Sequence, residues 1–317
     1  MPRTARLKPN DRGTSYHITN RIAGVPGEFP FGDVEKAKFV ELLKEEARYF
    51  TVQLLAHQVL GNHYHVACHA PAATLPPGEA ARRHNRFYGG RKPRLDPDDP
   101  RCLVVAEQMR DISAFIGRVQ QRFSSWFNKT RPTRRRGTLW AGRFKSVVLA
   151  RGTALWNCLC YIEMNPVRAG LVRDPADYRF GSWGEWCGTG RHPHADNLRR
   201  LLPQHEGDEA RARTLEQIRR RFRTDLARRR AEDAGASPAE AEEAASDAGR
   251  GPAFLLRLDR RVRYWSDGLV IGGRAFVVET AARVCGAERA RQHRLEPASG
   301  PGGAGLYAYR RLRRLPA

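Results

Sequence analysis

The sequence predicts an α+β protein built on one antiparallel sheet with helices packed on one face. Segments whose apolar residues alternate with polar ones, typical of strands, are interspersed with segments whose apolar residues recur at helical spacing. The predicted order is strand, helix, strand, strand, helix, strand, with one added helix, an order typical of layered α+β domains. Hydrophobic residues make up 41% of the 317 positions, which is enough for a core of this kind.

Four segments are predicted strands because they are rich in aromatic and β-branched residues and are flanked by turn residues. They are Thr14–Arg21, Thr51–Leu60, His63–His69 and Thr138–Leu149. Gly61 and Asn62 separate the second from the third, which predicts a hairpin.

Three segments are predicted helices: Asp33–Tyr49 with an N-cap at Asp33, Leu103–Lys129, and Thr153–Met164. The last is expected to stop before Pro166, because proline disfavours helix at the preceding residue. Residues 72–100 are predicted to be loop, since they contain many Pro, Gly, Arg and Asp residues.

The character of the chain changes after Cys187, and three parts are predicted. Residues 1–187 form the first domain, 188–250 a charged helical spacer with an Ala/Glu-rich tract, and 251–317 a small basic C-terminal module in which a hydrophobic pattern returns.

The charge of the chain predicts a polyanionic partner. Lys and Arg number 56 against 34 acidic residues, giving a net charge of +22 and a pI of about 10.6. Each phosphate neutralised by such a chain releases a counterion, which favours nucleic acid. No apolar stretch approaches the ~20 residues of a membrane span, and the six scattered cysteines show no zinc spacing, so we expect a reduced, cytoplasmic protein.

Two histidines on one predicted strand are the first candidates for chemistry. His63 and His65 are two residues apart, so they project from the same face and can hold one divalent metal ion. A half-buried structural histidine is the alternative for either, and His69 lies on the same face as a competing ligand. Almost a hundred residues later, Tyr161 presents a phenol from a predicted helix; it is either a nucleophile or a core aromatic residue.

A uniformly basic stretch separates these candidates. Residues 112–162 contain no acidic residue, and aromatic residues that can stack on bases are interleaved with the cations. The basic residues there are Arg118, Arg122, Lys129, Arg131, Arg134, Arg135, Arg136, Arg143, Lys145 and Arg151.

Three separated motifs resemble the single-tyrosine HUH transposases, and among them the REP-associated tyrosine transposases. They are Gly61-Asn62-His63-Tyr64-His65-Val66, the segment 137–146 with Trp140-Ala141-Gly142-Arg143-Phe144-Lys145, and the segment 161–172 that begins with Tyr161-Ile162-Glu163-Met164-Asn165-Pro166. The resemblance covers about residues 2–186 in the family's order, and residues 264–276 resemble a C-terminal extension of its longer members.

The resemblance implies a ferredoxin-like catalytic domain that cuts and rejoins single-stranded or hairpin DNA through a 5′-phosphotyrosine. Tyr161 would be the nucleophile, His63 and His65 would bind Mg²⁺ or Mn²⁺, and Asn165, one helical turn from Tyr161, would be a further ligand. It also implies a bacterial, nucleoid-associated protein that is either a monomer or a homodimer. The residues expected to hold DNA phosphates are Arg118, Arg122, Arg134, Arg135, Arg136, Arg143, Lys145 and Arg168.

Two other functions remain open at this stage. A nucleic-acid-binding protein without chemistry would explain the charge but gives the two histidines and Asn165 no role. A metal-dependent hydrolase that uses His63, His65 and His69 with water as the nucleophile would release a 5′-phosphate and form no protein–DNA bond. A structural zinc site is not supported by the cysteine spacing.

Overall fold

The computed structural model describes residues 7–9, 11–24, 27–131, 138–202, 215–248, 265, 269–292, 295–297 and 306–309. Its strands are β1 (Thr14–Arg21), β2 (Gln53–Val59), β3 (His63–Ala70), β4 (Lys145–Leu149), β5 (Val270–Gly273), β6 (Glu296–Pro297) and β7 (Leu306–Tyr309). They form one sheet in the order β2-β3-β1-β4-β5-β7-β6. Neighbouring strands are antiparallel except for β4 and β5, which are parallel.

The helices are α1 (Asp33–Tyr49), α2 (Pro77–Tyr88), α3 (Arg101–Arg110), α4 (Ile112–Lys129), α5 (Thr153–Arg168), α6 (Ser182–Thr189), α7 (Ala195–Leu201), α8 (Leu215–Asp233), α9 (Pro238–Ala248), α10 (Arg274–Cys285) and α11 (Ala287–Gln292), with a 3-10 turn at Pro175–Asp177. None of the described helices is long and apolar enough to cross a lipid bilayer.

The predicted α+β class is confirmed, but the helices cover both faces of the sheet rather than one. On β3, Tyr64 and Val66 belong to the core beneath α1 and α4, whereas Ala67 belongs to the core beneath α5. Both faces of this central strand are buried, so both need a covering layer. The single-face arrangement is therefore wrong, and α5 lies on the opposite side of the sheet from α1 and α4.

The segment predicted as one helix over Leu103–Lys129 is two helices that meet at Asp111. The carboxylate of Asp111 accepts hydrogen bonds from the main-chain nitrogens of Ser113 and Ala114, at 2.5 and 3.0 Å. This N-cap supplies acceptors that the first turn of α4 lacks, so a new helix begins there.

The prediction of loop for residues 72–100 is wrong over α2. Pro77 stands at the start of this helix, where its missing N–H costs nothing, and Gly89 ends it with a left-handed φ of 51°. Its buried residues, which include Ala80, His84 and Tyr88, recur at helical spacing, and the surrounding Pro and Gly residues hide that spacing in the sequence.

Smaller differences concern element ends. The prediction that the helix from Thr153 stops before Pro166 is wrong, because α5 continues through the proline to Arg168. The strand predicted over Thr138–Leu149 is regular only over β4, while Trp140 makes an isolated bridge to Ile22. Helix α1 has the predicted bounds, but its N-cap is Gly32, whose main-chain nitrogen donates to the Glu35 carboxylate at 2.8 Å.

Described residues from all three predicted parts of the chain contact one another. The indole nitrogen of Trp156 in α5 donates to the carboxylate of Asp225 in α8 at 2.6 Å. Strand β5 pairs with β4 through Val148 and Val270. The boundaries at 187 and 250 stay a prediction, but the sheet continues across them.

Candidate active site

Strands β1, β3 and β4 place polar side chains in two adjacent rows on the face covered by α5. Thr19 of β1 lies opposite His65 of β3 on one side and opposite Lys145 of β4 on the other. Arg21, two residues on, lies opposite His63. Because alternate residues of a strand share a face, both histidines and both cations project to the same side.

Helix α5 supplies two more side chains to that side. Between 154 and 166 every residue is buried except Tyr161 and Asn165, which are half-buried. They are four residues apart, so they lie on one face of the helix. The ring centroid of Tyr161 is 5.8 Å from that of His65, which is itself 5.2 Å from that of His63. The strand pair and the helix pair therefore converge.

These residues line one pocket of about 500 Å³, a volume in the range of small-ligand sites. The lining residues are Thr19, Asn20, Arg21, Asn62, His63, His65, Ala141, Gly142, Arg143, Lys145, Tyr161 and Asn165. Three of them carry a positive charge and none is acidic. The pocket therefore attracts a phosphate group rather than repelling it.

Residues Ala141, Gly142 and Arg143 form one wall of the pocket. The main-chain nitrogen of Ala141 donates to the carbonyl of Arg21 at 3.0 Å, and the side chain of Asn20 donates to the carbonyl of Gly142 at 3.1 Å. On the other face of the sheet, the ring of Trp140 packs on Tyr64 with 5.6 Å between centroids. This anchoring brings Arg143 beside the histidine pair.

Nδ1 of each histidine of the pair has a side-chain partner. Nδ1 of His63 lies 2.7 Å from the side-chain oxygen of Asn62, and Nδ1 of His65 lies 2.9 Å from Nε2 of His17. Nε2 of His65 is buried and has no hydrogen-bond partner among the described residues. Burial lowers the pKa of His63 to about 4 and that of His65 well below its usual value, so both rings are neutral at pH 7, the form that binds metals.

The donor chemistry of this pocket suits a divalent cation that completes its shell with water or phosphate oxygens. Across the described ranges no three His, Cys, Asp or Glu residues cluster as metal ligands. The donors are instead two imidazoles and the amide of Asn165, whose nitrogen donates to the carbonyls of Tyr161 and Ile162 at 2.9 and 3.3 Å. The amide oxygen is then the end left for a hard cation.

His69 is not brought together with the other two histidines. Its Nδ1 lies 3.0 Å from the hydroxyl of Ser15, and it is not among the residues that line the pocket. Four residues of extended strand separate it from His65, about 13 Å at ~3.3 Å per residue.

The residues predicted to hold phosphates are divided by the structure. Arg143 and Lys145 line the pocket. Arg168 lies with its guanidinium carbon 5.4 Å from the ring centroid of Tyr161 and pairs with Asp233 of α8 at 3.1 Å. Arg134, Arg135 and Arg136 lie outside the described residues.

Arg118 and Arg122 lie beneath α1, on the face opposite the pocket. Arg118 pairs with the buried carboxylate of Glu46 at 2.7 Å, and Arg122 pairs with Glu46 and Glu45 at 2.6 and 3.0 Å. That these two arginines contact DNA phosphates stays a prediction, and such contacts would compete with the ion pairs.

Sequence reasoning missed several residues of the site. Thr19 and Arg21 lie two and four residues after His17 on β1, so all three share one face of the strand. This spacing is visible in the sequence, but only the pairing of β1 with β3 shows that this face carries His63 and His65. No sequence signal connects Trp265 to the site. Its ring nevertheless lies 5.9 Å from that of Tyr161, at an interplanar angle of 27°, and its carbonyl oxygen lies 2.7 Å from Nδ1 of His17.

No protein-family model and no curated protein matches the chain. Among solved structures, a REP-associated tyrosine transposase bound to a REP hairpin is similar, with 14% sequence identity and a TM-score of 0.39 over 68% of this chain and 100% of that one. A likeness at this level carries no argument about activity, which has to rest on the geometry of this chain.

Proposed function

We propose that this protein is a divalent-metal-dependent DNA transposase or strand-transfer endonuclease that cuts and rejoins single-stranded or hairpin DNA, with Tyr161 as the nucleophile. The observation that carries the proposal is the convergence of Tyr161, Asn165, His63 and His65 in one cationic pocket. A core aromatic or a structural histidine explains each residue singly. Neither explains why Tyr161 and Asn165 are the only residues between 154 and 166 that are not buried.

The proposed reaction is a phosphoryl transfer in two reversible steps. The oxygen of Tyr161, after losing its proton, attacks a backbone phosphorus; the bond from phosphorus to the 3′ oxygen breaks, and that oxygen leaves as a 3′-hydroxyl after taking up a proton. The 5′ end is then joined to Tyr161. Because the phosphoester is retained, a second 3′-hydroxyl can attack it and release Tyr161, so rejoining needs no nucleotide cofactor.

His63, His65 and Asn165 would hold Mg²⁺ or Mn²⁺, which when bound polarises and orients the scissile phosphate. Arg143, Lys145 and Arg21 line the same pocket and would hold the adjoining phosphates through charge-assisted hydrogen bonds. Positive charge beside the phosphate also stabilises the negative charge that builds up during attack.

The four residues of the proposed site converge within one chain, so we propose that cleavage uses the tyrosine and the histidines of the same subunit. Homodimer formation would then affect which DNA ends are joined rather than whether a strand is cut.

The direct test is incubation of the full chain with labelled single-stranded and hairpin oligonucleotides in Mn²⁺, followed by denaturing gels. We expect a covalent protein–DNA band that disappears with EDTA and with Tyr161→Phe. Tyr307→Phe, which alters a half-buried tyrosine of β7 outside the pocket, is the matched control and should leave the band unchanged.

The other two functions give different outcomes in the same assay. Cleavage that leaves a free 5′-phosphate and no protein–DNA band would indicate a hydrolase that uses water. Tight binding with no cleavage in Mg²⁺, Mn²⁺ or EDTA would indicate a nucleic-acid-binding protein without chemistry. Either outcome contradicts the proposal.

A further inference from the structure

A buried line of hydrogen bonds runs from the main chain of Trp265 through His17 to His65. The carbonyl oxygen of Trp265 lies 2.7 Å from Nδ1 of His17, and Nε2 of His17 lies 2.9 Å from Nδ1 of His65. We propose that His17 is a positioning residue which, held by the Trp265 carbonyl, fixes His65 in the tautomer that presents a bare Nε2 to the pocket. This inference rests on the proposed function in taking Nε2 of His65 as a metal ligand.

The direction of the hydrogen bonds follows from what each atom can do. A carbonyl oxygen can only accept, so Nδ1 of His17 carries a hydrogen. In a neutral imidazole the other nitrogen then has a lone pair, so Nε2 of His17 accepts and Nδ1 of His65 donates. The hydrogen of His65 is thereby placed on Nδ1, and its Nε2 keeps a lone pair. One main-chain oxygen thus sets the protonation pattern of two rings.

Both rings are buried. His17 is 0% exposed and His65 is 4% exposed, so bulk water has little access to the hydrogen bond that they share. On the paired strands β1 and β3, His17 lies opposite Ala67 and diagonal to His65, a spacing at which long or aromatic side chains touch. The two rings are nearly parallel, at an interplanar angle of 10°.

The same geometry assigns a role to Trp265. Trp265 is fully buried and touches both halves of the site, because its carbonyl holds His17 while its ring stacks on that of Tyr161. It lies 104 residues beyond Tyr161 in the chain. Trp265 therefore orients the proposed metal ligand through His17 and packs against the ring of the proposed nucleophile.

Without an acceptor at position 17, the hydrogen of His65 is no longer confined to Nδ1, and a tautomer with a hydrogen on Nε2 cannot bind a metal through that nitrogen, the one without a hydrogen-bond partner among the described residues. Loss of a residue that orients a metal-bound histidine typically lowers metal affinity ~10–100-fold. We expect that loss in His17→Leu, an apolar replacement that fits a buried position. His17→Gln keeps an acceptor and a donor on one side chain and should retain most of the affinity.

The experiment combines Mn²⁺ titration followed by electron paramagnetic resonance with long-range ¹H–¹⁵N spectra of the metal-free protein, which distinguish protonated from bare imidazole nitrogens. Ser15→Ala is the matched control, because it removes a hydrogen bond to His69 on the same face of the same strand pair. We expect wild type, Ser15→Ala and His17→Gln to bind Mn²⁺ similarly, and wild-type His65 to carry its hydrogen on Nδ1.

A hydrogen on Nε2 of His65 in the wild type, or unchanged Mn²⁺ affinity in His17→Leu, overturns the inference. The ring spectra of the wild type need no variant to fold and no DNA to be cut. Absence of a covalent protein–DNA band would therefore count against the proposed function, while the tautomer and the Mn²⁺ affinities would still decide the role of His17.

Discussion

The side-chain amide of Asn165 donates a hydrogen bond to the main-chain oxygen of Ile162, at 3.3 Å. In a regular helix this oxygen would accept from the nitrogen of residue 166, but Pro166 has no hydrogen to donate. Asn165 thus replaces the hydrogen bond that the proline removes, and the helix continues to Arg168. The same contact turns the amide oxygen away from the helix backbone.

Asn165→Ala and Asn165→Asp should separate the two roles of this residue. Both lose the bond to Ile162, so we expect each to lower the free energy of unfolding by ~1 kcal/mol, measured by urea denaturation. Only Asn165→Ala also removes the oxygen ligand, so Mn²⁺ affinity should fall in Asn165→Ala and be kept or raised in Asn165→Asp. Equal Mn²⁺ affinity in wild type and Asn165→Ala would contradict the ligand role.

Pro166→Ala in the Asn165→Ala background should recover the lost stability. The alanine restores a main-chain N–H that can reach the oxygen of Ile162, so the side-chain donor is no longer needed. The check is a double-mutant cycle in urea. If the two substitutions prove simply additive, Asn165 and Pro166 are not coupled in this way.

The histidine pair should be distinguishable from His69 by metal binding. We expect His63→Ala and His65→Ala each to weaken Mn²⁺ binding by more than ~100-fold, beyond the range seen for residues that only orient a ligand. His69→Ala is the control on the same strand, and it should bind as the wild type does because His69 lies outside the pocket. Isothermal titration calorimetry measures all three, and a comparable loss in His69→Ala would favour the hydrolase with three histidines.

The salt dependence of DNA binding should separate the pocket cations from those paired with carboxylates. For single strands, log K falls with log salt by ~0.7 for each phosphate neutralised. We expect Arg143→Ala and Lys145→Ala each to reduce the slope by about that amount. Arg122→Ala should leave it unchanged, since Arg122 is held by Glu45 and Glu46; a reduced slope in that variant would place DNA on the α1 and α4 face as well.

Stability should fall as the pH is lowered from about 6.5 towards 4. Burial lowers the pKa of His17 to about 4 and that of His57 and His192 to about 3, from 6.5. Within that window the unfolded chain binds more protons than the folded one, so each imidazole removes up to ~1.4 kcal/mol per pH unit. Burial raises the pKa of Glu163 to about 7, so this one carboxyl group makes a contribution of opposite sign and stabilises the folded protein on acidification.

The measurement is urea unfolding of the metal-free protein between pH 8 and pH 4. His57→Gln removes one titrating ring from a fully buried position and should flatten the curve by about one proton. A stability that rises on acidification would show that these rings are protonated in the folded protein.

Much of the fold was accessible from sequence because its strands and helices carry their own periodicity. The bounds of β1 and α1 agree with the predicted ones. Helix α2 was missed because prolines, glycines and arginines flank its buried residues. The helices on the second face of the sheet were missed because alternation of apolar residues indicates burial but not which element covers the strand. At Pro166 the side chain of Asn165 supplies the donor that the proline lacks, and helix propensity does not include such a bond.

The candidate site was only partly accessible. His63, His65, Tyr161 and Asn165 stand in motifs, and the structure brings all four together. His17 stands in no motif, and the motif that contains Trp265 does not indicate a role for it, because the place of both depends on strand pairing and on a contact between residues 248 positions apart. A local sequence pattern indicates candidate metal ligands and nucleophiles. Tertiary packing determines which other residues orient them.

The most direct test of the central claim is to identify the residue that becomes joined to DNA. After reaction with a short hairpin oligonucleotide in Mn²⁺, the protein is digested and the nucleotide-bearing peptide is sequenced by mass spectrometry. We expect a phosphodiester bond between Tyr161 and the 5′ end of the cleaved strand. A nucleotide on any other residue, or cleavage with Tyr161 unmodified, contradicts it.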